Sequence, residues 1–184
     1  MKNLVLASVL TLCAIGAQAQ VYGELGYTSL STKELVTKPK LDDLNTRTSP
    51  KAIRGIVGYE LTPNITVEGM IAIGMGNVDV DDKGKTIPLA TYKVQNILGL
   101  YIKPKFKVVG GLEVFVRAGL ARTQREFDIP KYDPISDNEL NFSYGAGLRY
   151  SINPTASLNV DYMQYLNKVG LEINGLTVGI GMKF

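Results

Sequence analysis

Apolar and polar residues alternate with a period of two along most of this chain, which is the pattern of strands with one greasy face. Between Ala52 and Leu61, one side carries Ile53, Gly55, Val57, Tyr59 and Leu61 and the other carries Arg54 and Glu60. From Ile65 to Gly76, Ile65, Val67, Gly69, Ile71, Ile73 and Met75 oppose Thr66 and Glu68. Leu140 to Ile152 alternates apolar residues with Asn141, Ser143, Gly145, Gly147, Arg149 and Ser151. The last segment sets Leu176, Val178, Ile180, Met182 and Phe184 against Thr177, Gly179, Gly181 and Lys183. Four looser segments, 21–30, 89–102, 112–122 and 156–166, bring the expected strands to about eight.

Turn residues punctuate these runs. Tyr59 to Asn64 and Tyr150 to Thr155 share a pattern of Tyr, any residue, an aliphatic, a turn residue and Pro, and Lys103-Pro104-Lys105 is read as a third turn. Proline cannot donate within a central ladder, so it marks hairpin ends. Long polar connections are expected at 31–50, 77–88, 123–139 and 167–174. Short turns alternating with long loops predict an all-β, antiparallel up-and-down transmembrane barrel, with short turns periplasmic and long loops outside. A hairpin within 31–50 would raise the count to ten.

Charge placement sets the direction of the barrel. A Lys or Arg facing lipid at mid-bilayer costs about 2–4 kcal/mol. No charge falls on the membrane-depth part of the apolar face; Arg122 has that parity but is placed at a strand end, where the cost is small. Asn96 is the awkward polar residue, and a bulge there is expected to turn it inward. The opposite face carries the acids Glu24, Glu60, Glu68, Glu113 and Asp161 and the bases Arg54, Lys93, Arg117, Arg149 and Lys183. Five acids facing five bases suggests pairing inside, because lone buried charges are costly. Small inward glycines leave room for the long side chains. The expected lumen is therefore filled and polar, as suits a barrel of this size.

Composition sharpens the picture. The chain has 184 residues, no histidine and a single cysteine. Residues 1–19 read as a cleaved secretory signal: Lys2, an apolar run too short to span a bilayer, then Ala17-Gln18-Ala19. Leu12 before Cys13 argues against a lipid-anchored cysteine, so Cys13 is assigned to that signal. The barrel domain is then 20–184, and its near-balanced charge argues against nucleic acid as a partner. Absence of histidine removes Ser-His-Asp, Cys-His and His-metal chemistry. No catalytic residue, metal site or cofactor is expected. Asp79 to Gly84 has the acidity of a calcium loop but places Lys83 and Ala90 where the EF-hand pattern needs oxygen ligands. Lys33, Lys38, Lys40 and Lys51 gather around the first long connection and could face lipopolysaccharide phosphates.

Alternating apolar residues that end in Phe184, together with Val116 to Ala121 and Ser143 to Tyr150, resemble the small OmpA/OmpX-type outer-membrane β-barrels. The resemblance covers essentially all of 20–184 and implies residence among outer-membrane lipid and lipopolysaccharide. It also implies that Phe184 serves as the signal for the barrel-assembly machinery. The chain lacks Trp, so any interfacial girdle must use Tyr and Phe. Three functions follow: an envelope or surface-interaction barrel whose loop partner is unidentified, a small porin-like pore, or a soluble lipocalin-like binding barrel with the apolar face turned inward.

Overall fold

Alternation over so many segments makes each strand dependent on neighbours for its backbone partners, and the chain meets this by closing a ring. The computed structural model describes residues 21–38, 41–75, 78–82, 85–128, 135–168 and 171–184, with side chains described except at 33–38, 41–48, 78–82, 85–94, 125–128 and 135–137. The expected export segment, 1–19, lies outside the described residues.

The strands are β1 (Val21–Lys38), β2 (Leu41–Thr48), β3 (Lys51–Thr62), β4 (Ile65–Met75) and β5 (Val78–Asp82). They continue with β6 (Lys85–Lys107), β7 (Leu112–Asp128), β8 (Ile135–Ser151), β9 (Ala156–Lys168) and β10 (Leu171–Lys183). Antiparallel pairing runs β1–β3–β4–β6–β7–β8–β9–β10 and returns from β10 to β1, with Tyr22 opposite Lys183 and Glu34 opposite Leu171. Closure pairs the strands on both sides through most of the hydrocarbon, where an unpaired peptide group would have no water to bond.

The ring has eight staves, although ten strand segments make it. β2 continues the register of β3 along β1: Ser29 faces Lys51 and Thr32 faces Thr48. The break falls at Ser49-Pro50, where proline has no donor, yet Pro50 O still accepts from Leu30 N at 2.8 Å. β5 similarly follows β4 along β6, and β2 meets β5 at Thr46 and Asp82. The connections read as long loops are thus largely strand. Above the membrane a ladder needs no greasy face, so polar sequence there does not signal a loop.

Two further expectations change. Lys103-Pro104-Lys105 is not a turn but part of β6, and Pro104 stands opposite Ile65, the first residue of β4, where a missing donor costs little. The turn lies at Val109-Gly110-Gly111-Leu112. Gly110 and Gly111 have φ of 58° and 83°, and Leu112 N donates to Val109 O at 3.0 Å, as in a two-residue hairpin with both central residues left-handed. The other two turns stand where read. Asn153 Oδ1 accepts from Thr155 N at 2.9 Å and Ala156 N at 2.7 Å, and Pro63-Asn64 joins β3 to β4.

Apolar side chains point outward around the whole ring: Val57 is 57%, Leu100 64% and Val178 60% exposed. That orientation suits acyl chains and rules out the soluble lipocalin-like alternative. Tyr59, Phe106, Tyr150 and Phe184 stand towards the turn end, and Tyr27, Phe142, Tyr144 and Tyr162 towards the other, as interfacial girdles do. Arg122 is not at a strand end, since β7 runs on to Asp128; it is exposed on the outer face, at the rim of the apolar band.

The ring is less uniform on one side. β8 pairs with β9 from Ser151 up to Tyr144 opposite Gln164 and no further, although both strands continue. Beyond that point Lys168 spans the two strands to Glu139 at 3.1 Å. A bulge near Tyr165 shifts β9 against β10 at the same height.

Candidate functional site

Inward alternation brings charged residues from seven strands to the turn-side part of the lumen, and Arg117 of β7 stands at their centre, wholly buried. Its guanidinium donates from Nη2 to Glu24 at 2.7 Å, from Nη1 to Asp161 at 2.9 Å and from Nε to Glu68 at 2.5 Å. A planar fork with several fixed donors can serve three carboxylates at once, which an ammonium cannot do in the same geometry. Arg54 grips Asp161 with two bonds, at 2.7 and 2.5 Å. Arg149 bonds Glu24 at 2.5 Å and Asn159 at 3.1 Å, and lies 3.6 Å from Glu113.

Lys103 completes the cluster, 3.0 Å from both Glu24 and Glu68, with its ammonium over the Phe115 ring at 4.3 Å. Phe115 also faces the Arg117 guanidinium, and the Tyr22 hydroxyl donates to Glu68. Nearer the turns, Glu60 takes Lys105 at 2.5 Å and Lys183 at 3.0 Å. Of the residues singled out from sequence, Glu24, Arg54, Glu68, Glu113, Arg117, Arg149 and Asp161 share this cluster, and Glu60 and Lys183 form a separate group below it. The Lys93 side chain is outside those described; its backbone lies beyond a register shift in β6, opposite Glu126. That shift falls beside Asn96, whose side chain reaches Gln124 at 3.1 Å.

Sequence reasoning missed Lys103, Lys105, Tyr22 and Phe115. Reading Pro104 as a turn hid the two lysines. Had the Gly110-Gly111 pair been taken as the turn, parity would have carried Lys103 and Lys105 inward with Tyr101.

The expected filled, polar lumen is polar in only part of its height. Above the ions lies an apolar layer that includes Leu30, Ala52, Ile97, Ala121, Met163, Tyr165, Leu166 and Ile173, all essentially without exposure. These residues have inward parity or, at Met163 to Leu166, are turned in around the bulge in β9. Counting charges alone did not show them. Together the layers fill the lumen.

The remaining expectations fall elsewhere. Phe184 N donates to Val21 O at 3.0 Å, so the terminal residue sits at the closing seam with its ring over Gly23. Lys51 is exposed at the start of β3; the side chains of Lys33 and Lys38 are outside those described, and Lys40 is outside the described residues. Asp79 to Asp82 fall within β5, and among the described residues no group of acids, cysteines or histidines could hold a metal. Among the described residues no helix is long and apolar enough to cross a membrane, which does not bear on crossing by strands.

The model of the family described as "Outer membrane protein beta-barrel domain" matches residues 4–184. The chain belongs to this family. No curated protein sequence gives a significant match. Solved structures with the same fold include Ail of Yersinia pestis in complex with the heparin analogue sucrose octasulfate, 16% identical, covering 90% of this chain and 98% of that chain with a TM-score of 0.62. Neisserial surface protein A is 15% identical, covers 92% and 99%, and has a TM-score of 0.66. OprG of Pseudomonas aeruginosa is 14% identical, covers 92% and 98%, and has a TM-score of 0.61. The protein is an integral outer-membrane barrel of the OmpA/OmpX type, in contact with outer-membrane lipid.

Proposed function

We propose that this outer-membrane barrel is an envelope and surface-interaction protein whose lumen conducts nothing. Wholly buried Arg117, bonded to three carboxylates from three strands beneath a layer of buried aliphatic and aromatic residues, carries this reading. Opening a path for ions would mean separating buried charges from their partners, which is costly in a poorly solvated interior. The working surface is then the part of the wall that rises past the apolar band, where β1–β2, β5–β6 and β7–β8 extend into water. Catalysis has no part in this reading, because the lumen carboxylates are held by lumen bases. Phe184 is read as the assembly signal, residues 1–19 as the export signal and the first-hairpin lysines as contacts for lipopolysaccharide.

Planar-bilayer recording of the refolded protein tests the closed lumen: no conductance steps above background are expected, and reproducible steps reject it. Trimming the extensions beyond the apolar band should leave a folded barrel that no longer binds cells or envelope components. Retention of all binding by the trimmed barrel rejects the surface reading.

A further inference from the structure

The lipid-facing wall carries a shallow, open groove crossing β3, β4, β6 and β7 and reaching Leu140 of β8. Two rows of paired residues make its floor. One runs Gly55, Ile71, Leu98, Arg122; the other runs Val57, Gly69, Leu100, Leu120. The groove exists because Gly55 and Gly69 stand where neighbouring outward positions carry aliphatic residues.

The fold does not require glycine at those two places. A Cβ on Gly69 would meet nothing within 4 Å, and one on Gly55 would make only an ordinary 3.7 Å contact with Ile71. Lumen glycines differ: a Cβ on Gly145 would lie 2.3 Å from Tyr162 O. The outward pair thus shapes a surface, whereas the inward glycines relieve crowding.

The groove also has a direction. Gly55 lies nearer to Thr62, at the turn end of β3, than Arg122 lies to Leu112, at the turn end of β7, so the groove rises away from the short turns. With those turns periplasmic, Arg122 stands at the outer-leaflet end. Its Nε donates to Asn138 Oδ1 at 2.6 Å, which fixes the guanidinium at the head of an apolar trough.

We propose that this groove is a binding site for one phosphorylated glycolipid of the outer leaflet, with an acyl chain lying over Gly55 and Gly69 and a phosphate on Arg122. Arginine pairs with phosphate through fixed, bidentate donors, and the outer-leaflet placement selects a lipid A-type molecule over an inner-leaflet phospholipid. The proposal depends on the membrane placement and not on the closed lumen.

Native mass spectrometry of the folded full chain, titrated with bis-phosphorylated lipid A, its dephosphorylated form and phosphatidylglycerol, tests it. Bis-phosphorylated lipid A should bind most tightly. Gly69→Leu, which fills the groove, and Arg122→Gln should each weaken it roughly tenfold, on the scale of one lost contact. Arg122→Gln should leave the dephosphorylated lipid unaffected. Val160→Leu, on the lipid face across the barrel, should change nothing, and heat-modifiable gel migration will report folding of each variant. Wild-type affinity in either groove variant overturns the proposal. So does equal binding of phosphatidylglycerol, an equal loss in Val160→Leu, or a dimer that Gly69→Leu abolishes, which would make a second copy the occupant.

Discussion

Arg117 has no route to water and three carboxylates around it, so removing it strands Glu24, Glu68 and Asp161 among fewer bases. Arg117→Met should lower unfolding stability in lipid vesicles by about 3–5 kcal/mol, the usual cost of breaking a buried pair from one side. A loss below 1 kcal/mol in urea titration would mean that the remaining bases reorganise to cover the gap. Glycines give a second test. Gly145→Ala would push a methyl against Tyr162 O and within 2.8 Å of Met163 Cα, whereas Gly69→Ala meets open space. Alanine at 145 should destabilise by about 1–3 kcal/mol, as overpacking does, and alanine at 69 should be neutral within about 0.5 kcal/mol; equal midpoints would contradict this contrast. Parity made most of the ionic residues legible in the sequence. It failed at Lys103 because proline was given a turn it does not make.

At the scale of the strand and its turn, alternation located all eight staves but stopped at the edge of the membrane. Leu41–Thr48 and Val78–Asp82 are strands with little apolar face, the first without alternation and the second, Val-Asp-Val-Asp-Asp, too short and acidic to stand out. Gly110-Gly111 is the opposite case: a strong hairpin signal overshadowed by a nearby proline. Its left-handed backbone makes a testable demand. Gly111→Val places a β-branched residue at φ 83° with its Cβ 3.3 Å from Ser151 O. A cost of about 1–3 kcal/mol is expected from the backbone strain. Slower or incomplete refolding into vesicles, followed by the heat-modifiable band, would register it, and unaltered refolding and midpoint would refute it.

For the whole molecule, the lumen behaves as a salt-poor interior wrapped by hydrocarbon. Exposed ion pairs weaken as electrolyte rises, but buried ones are screened much less. The urea midpoint should therefore hold steady between about 0.05 and 0.5 M salt, a range over which the screening length shortens several-fold. A steep fall would place the ions in contact with solvent and would also undermine the closed lumen. Fold class was readable because lipid allows few solutions to backbone satisfaction. The vertical division of the interior was not, because Leu30, Ile97 and Ile173 look like ordinary strand residues until their neighbours are known.

The stretch of β8 and β9 beyond Tyr144 and Gln164, where the backbone ladder ends and side chains alone cross, gives the cylinder a weak line at its outward-facing lip. Heating should fray the molecule there first, like a cask whose topmost hoop is loose. The lower girth, sealed by continuous ladders and knotted charges, would then survive after the crown had already splayed.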